Sequence, residues 1–156
     1  MPVGPHNPDC YVCGTRNPAA QALSLSLVDD RVVGDVTLTA AHQGAPGLAH
    51  GGAVSALFDE ALGVVVHATG VPAVTARLEV NYRRPFVLGR RHLVEAWIER
   101  REGRKFYTEG TVHDEQGTLV ADASGLFVQV PVEHFLENLP PEWRDNHGDA
   151  ESQLPW

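Results

Sequence analysis

The stretch His50-Gly51-Gly52-Ala53-Val54-Ser55-Ala56-Leu57-Phe58-Asp59-Glu60-Ala61-Leu62-Gly63 constrains this chain more than any other. It reads as a turn feeding a helix that is apolar on nearly every side, the pattern of a helix enclosed by a core. Yet two adjacent carboxylates stand near its middle, and burying an unpaired charge costs several kcal/mol or forces the group to neutralise. At roughly 100° per residue, Gly52, Ala56, Asp59 and Gly63 fall within about 60° of one another. The smallest side chains therefore flank Asp59, and this face reads as the floor of a cavity carrying one acid. Leu57, Phe58, Ala61, Leu62 and Val65 make the packing face. Glu60 lies about 80° around the helix from Gly52, off the small-residue face, and reads as structural or interface-facing.

The rest of the chain supplies strands. Leu23 to Leu27 alternates strictly, Asp29-Asp30 marks a turn, and Val32 to Thr39 reads as the returning partner. A Gly- and Pro-rich loop, His42 to Ala49, delivers the chain to the helix, which is expected from Gly51 to His67 and ends before Gly70 and Pro72. Four more strands follow: Val74 to Tyr82, Arg91 to Arg101, Lys105 to His113 and Leu119 to Val130, with hairpin turns at Glu102-Gly103-Arg104 and Asp114 to Gly117. The order β-β-α-β-β-β-β, with hairpin links, predicts an α+β fold in which one long helix packs on antiparallel strands. Residues 1–20 read as an irregular lead-in, 21–131 as one domain, and 132–156 as a partly disordered tail with a short helix around Phe135 and Leu139.

Composition excludes several classes of function. A net charge of −8 argues against general nucleic-acid binding. Nine of the twelve Lys and Arg residues nevertheless lie between Arg77 and Lys105, a window with four acids, which suits a small polyanion or a solvated, charge-alternating strand face. No run approaches a membrane span, and the N-terminus has neither the basic flank nor the apolar region of a secretory signal, so a cytoplasmic protein is expected. The two cysteines, Cys10 and Cys13, form one C-x-x-C. A pair completes a zinc site only with help from histidines; His6 is close but lacks the required spacing, so a reduced loop without metal is expected. His67, His92 and His113 read as structural or surface residues. No G-x-S-x-G, G-x-G-x-x-G, P-loop or H-E-x-x-H motif is present.

Taken together, His50-Gly51-Gly52 with Asp59 on the helix, Gln43 to Gly47 before it, Thr75 to Pro85 after it, Glu102 to Lys105, and the early Cys10-Tyr11-Val12-Cys13-Gly14 with Asn17-Pro18 resemble the hotdog-fold acyl-CoA thioesterases of the PaaI-like type. The resemblance covers roughly residues 7–130. It implies a long helix wrapped by a curved antiparallel sheet, a homodimer or dimer of dimers, and acyl-CoA bound at the subunit interface. It further implies that Asp59 is the catalytic carboxylate, that the Gly51 backbone N–H polarises the thioester carbonyl, that His50 lies beside that carbonyl, and that Thr75 positions the attacking water. Gln43 matches a polar loop residue of some relatives. No cofactor is implied, coenzyme A being part of the substrate.

The chemistry is coherent on its own terms. The first N–H groups of a helix lack intrahelical partners and sit at its positive end, so Gly51 and Gly52 would let an oxyanion approach closely. Asp59 can serve as general base or as nucleophile, and the sequence does not choose. Arg83, Arg84, Arg104 and Lys105 are candidates for the CoA phosphates. Taken singly, His50 is an ordinary turn histidine and Asp59 a buried acid with an arginine partner. Two alternatives stand beside hydrolysis. A hotdog hydroxyacyl-thioester dehydratase would place its His and Asp differently, and a non-catalytic acyl-CoA sensor would lack the helix carboxylate.

Overall fold

The computed structural model describes residues 1–3 and 6–142. The long helix α1 spans Gly51–His67, and Ala53, Val54, Leu57, Phe58, Ala61 and Leu62 are buried along it, as its apolar circumference requires. Around it bends one antiparallel sheet of seven strands: β1 (Pro2–Val3), β2 (Ser24–Val28), β3 (Arg31–Val36), β4 (Ala73–Tyr82), β5 (His92–Glu102), β6 (Lys105–His113) and β7 (Leu119–Gln129). Their order across the sheet is β1-β2-β3-β5-β6-β7-β4. The strand that follows α1 in sequence thus crosses to the far edge, and the helix lies between it and the first hairpin.

The expected elements are all present, with shifted ends. β3 stops at Val36, because Thr39 instead caps a short 3-10 turn, Ala40–His42. The buried His42 closes a capping box there, its Nδ1 accepting from the Thr39 N–H at 3.1 Å. Pro2 and Val3, expected to be irregular, pair with Ser26 and Leu25 as β1. A short helix, α2 (Glu133–Asn138), stands where one was expected. The expected tail end, residues 143–156, lies outside the described residues.

Two features position the site. On the sheet, Gly125 has no room for a side chain: a Cβ would stand 2.7 Å from Thr108 Oγ1 and 3.1 Å from Leu62 Cδ1, so this glycine lets α1 approach the strands closely. In β4, Thr75 pairs with Phe127 but Arg77 pairs with Leu126, leaving Ala76 as a bulge. The bulge resets the alternation, so that Thr75 faces α1 together with Leu78, Val80 and Tyr82. An unbulged strand would turn Thr75 to the opposite face from Leu78.

Candidate active site

The first turn of α1 is organised by His50 and Tyr82. His50 is the N-cap, with φ −64° and ψ 137°, and its Nδ1 accepts from the Gly52 N–H at 2.9 Å. Gly52 was expected to offer its N–H to substrate; that donor is instead committed to His50. His50 therefore acts as a cap, and the Gly51 N–H is the first-turn donor left without an acceptor among the described residues. The Tyr82 hydroxyl, at the end of β4, donates to Gly51 O at 2.9 Å and lies 2.7 Å from Ser55 Oγ, tying this turn to the sheet edge. No sequence signal singled out Tyr82; only the register of β4 brings it there. Tyr82→Phe should cost about 1 kcal/mol and lower Tm by about 2–4 °C, read by thermal unfolding.

Two turns further along, the adjacent acids diverge. Asp59 is half-buried and accepts a 2.7 Å hydrogen bond from Thr75 Oγ1, rather than pairing with an arginine. The two share a cavity of about 250 Å³ with Gly63, Val64, Phe127, His67 and His6. Of the small-residue face, Asp59 and Gly63 line this space, and the neighbouring Glu60 lines it too, so the cavity carries two carboxylates rather than the one expected. Glu60 is the more buried acid, its side chain 9% exposed, and it accepts from His6 at 2.9 Å while the Cys10 thiol lies 3.6 Å away. Burial pushes the Glu60 carboxyl up, but hydrogen bonds from His6 and the thiols outweigh it and hold it below the usual range. The same hydrogen bond raises His6 against its burial, and burial beside Glu60 pushes the Cys13 thiol up.

The remaining expected site residues separate. Gln43 turns inward on its own loop, accepting from the Gly47 N–H at 3.0 Å. Arg83 pairs with Asp122 at 2.6 Å. Arg84 lines a second cavity of about 450 Å³ with Gly51, Val54, Tyr82 and Phe86. Arg104 and Lys105, however, belong to the opposite end of the sheet: Lys105 pairs with Val128, which pairs with Val74. At about 3.3 Å per residue, Val74 and Tyr82 are about 25 Å apart, so the two basic pairs do not converge within one chain.

This architecture, a central helix with an antiparallel sheet curved around it, is matched by known proteins. The family model described as the thioesterase superfamily matches residues 46–121, the span that carries Gly51, Asp59, Thr75 and Tyr82. The chain has the hotdog fold of the thioesterase superfamily. A crystal structure described as a thioesterase superfamily protein is 36% identical, with a TM-score of 0.73, covering 76% of this chain and 62% of its own. The acyl-coenzyme A thioesterase THEM4 of Bos taurus is 37% identical over 92 residues, which are 58% of this chain and 38% of that protein. The chain thus spans well under half the length of that curated relative. The crystal structure of smu.793 from Streptococcus mutans bound to acetyl CoA shares the fold at 24% identity and a TM-score of 0.66, covering 69% of this chain and 88% of that one. No helix among the described residues is long and apolar enough to cross a membrane.

Within the superfamily fold, the feature least visible beforehand is the N-terminal segment. This segment packs on α1. It touches the helix at Glu60 through His6 and at Ala53, whose carbonyl accepts from the buried Gln21 Nε2 at 2.7 Å.

Proposed function

We propose that this protein hydrolyses acyl-CoA thioesters in a site shared between two copies of the chain. The observation that carries the reading is the pair of functional groups on one helix: an unsatisfied N–H at Gly51 and a carboxylate at Asp59 held by Thr75. Eight residues at 1.5 Å each separate them by about 12 Å along the axis. Reacting atoms and oxyanion donors must lie about 3 Å from one carbonyl, so the two cannot serve the same thioester within one chain.

An antiparallel pairing of two copies resolves this. β4 is the edge of the sheet, ten residues long, and an open edge of that length favours a partner strand. Pairing β4 with its counterpart about a two-fold axis lays the Val74 end of one strand against the Tyr82 end of the other. Gly51 of one copy then approaches Asp59 of the other. The same operation brings Arg84 of one copy toward Arg104 and Lys105 of the other, restoring the basic cluster that a single chain splits. Tyr82, 55% exposed in the single chain, would be covered.

In such a site the Gly51 N–H receives the developing oxyanion, at the positive end of α1. Thr75 occupies one carboxylate oxygen of Asp59 and leaves the other to take a proton from water as it attacks, or to attack the carbonyl itself. In either course the C–S bond breaks and CoA leaves as its thiolate; water adds to the carbonyl directly in the first, and in the second it cleaves the acyl–Asp59 anhydride, so the acyl group ends as the free acid and Asp59 is restored. No strong general acid is needed, because a thiolate leaves readily. The reaction requires no cofactor beyond the CoA of the substrate.

The test is thiol release from acetyl-, phenylacetyl-, octanoyl- and palmitoyl-CoA, with sedimentation to fix the number of chains. Release by a dimer or a dimer of dimers is expected; ester binding without release would replace the enzyme by a sensor. A second expectation concerns the phosphates. Replacing Arg104 and Lys105 by alanine should raise KM for CoA esters by about tenfold, the worth of a lost charge-assisted contact. Esters of pantetheine, which lack the nucleotide, should be little affected.

A further inference from the structure

We propose that His6, Cys10, Cys13 and Glu60 form a tetrahedral site for zinc, or a divalent cation of the same class, that fastens the N-terminal segment to α1 beside Asp59. One donor atom from each residue lies within 4.8 Å of all the others. Zinc bonds of about 2.0–2.3 Å to nitrogen, oxygen and sulfur give a tetrahedron with edges of about 3.3–3.8 Å. Two edges already approach that size, His6 Nδ1 to Glu60 Oε1 at 2.9 Å and Cys13 Sγ to His6 Nδ1 at 3.3 Å, and Cys10 Sγ lies 3.6 Å from the other Glu60 oxygen, Oε2. Four such donors meet here from two segments more than forty residues apart in sequence.

The local backbone is built to present the sulfurs. Cys10 and Cys13 have the C-x-x-C spacing of zinc knuckles. The Val12 N–H points at Cys10 Sγ at 3.3 Å, a donor that stabilises charge on a thiolate ligand. The turn closes with the Gly14 N–H on Cys10 O at 3.1 Å. It is so tight that a Cβ at Gly14 would lie 2.4 Å from that same carbonyl oxygen, so only glycine fits. All four residues are partly shielded from solvent.

Donor chemistry sets the class of metal. Two thiolates, an imidazole and a carboxylate match zinc, whereas magnesium and calcium take shells of oxygen. Four protein ligands leave no open position, which makes the site structural. Its consequence for the neighbouring cavity is mechanical. His6 forms part of the wall that faces Asp59 and Thr75, and Glu60 follows Asp59 in the helix, so the cation would fix that wall in place.

The test uses the full chain, purified under reducing, oxygen-free conditions, with zinc measured by mass spectrometry of the metal. About one zinc per chain is expected, together with a fall in Tm on chelation. Cobalt replacing the zinc should give a thiolate-to-metal charge-transfer absorption. Cys13→Ser should abolish that absorption in large part, and both Cys13→Ser and His6→Ala should weaken zinc binding by at least about tenfold. Wild-type protein that neither carries zinc nor takes up added Zn2+, with both thiols reacting equally fast in its presence and absence, would overturn the proposal. None of these readouts depends on hydrolytic activity, and the wild-type measurements stand even where a variant fails to fold.

Discussion

Asp59→Ala should lower kcat for acyl-CoA hydrolysis by about 10²–10⁴-fold, the usual worth of a positioned base, and leave Tm within a few degrees of wild type. The stability side follows from what Asp59 touches. It is half-buried and lines an open cavity, and Thr75 Oγ1 is its hydrogen-bond partner among the described residues. Removing it frees one hydroxyl that water can satisfy, a loss of about 1 kcal/mol at most. Glu60 gives the contrast. Its carboxylate is buried and bound by His6, so Glu60→Ala should act mainly on stability, leaving His6 and two thiols without their common partner. Parallel measurement of turnover and thermal unfolding separates the adjacent acids. Undiminished turnover in Asp59→Ala would remove the carboxylate from the mechanism altogether.

The different surroundings of these neighbouring acids were half legible in the sequence. Helical spacing alone put Asp59 among Gly52, Ala56 and Gly63 and set Glu60 apart, because a 100° step is a property of the backbone and survives folding. The strands were legible for the same reason, since alternation reports which face is buried. What periodicity could not reach are contacts between segments distant along the chain. Nothing local says that His6 and the cysteines meet Glu60, since that depends on where a turn-rich segment of little periodicity comes to rest. The bulge at Ala76 was likewise invisible, although the chain carries its trace: apolar side chains at Leu78, Val80 and Tyr82 are out of phase with Ala73 and Thr75. Charge clustering misled in a specific way. Arg83, Arg84, Arg104 and Lys105 are near one another in sequence, but a hairpin sheet sends successive turns to opposite ends, so proximity along the chain became separation in space.

Gly51→Pro should reduce kcat by about 10²–10³-fold, the effect of deleting one oxyanion donor, while the helix is retained. Proline is suited to this position on every structural count. Gly51 is the first residue of α1, where proline is favoured because its missing N–H has no intrahelical acceptor. The preceding His50, at ψ 137°, already has the extended conformation that proline imposes on its neighbour. A Cβ at Gly51 would meet Tyr82 at 3.5 Å, an ordinary contact. The substitution thus removes the N–H and little else, and Gly51→Ala, which keeps it, is the control expected to remain active. Mixing then tests the shared site. In a dimer of one Gly51→Pro chain and one Asp59→Ala chain, one site inherits both lesions and the other inherits neither. Random reassortment yields mixed dimers in half of all cases, each with one intact site, so activity should return to about a quarter of wild type. If instead Gly51 and Asp59 acted on the same ester within one chain, every site in every dimer would carry a lesion and no activity would return.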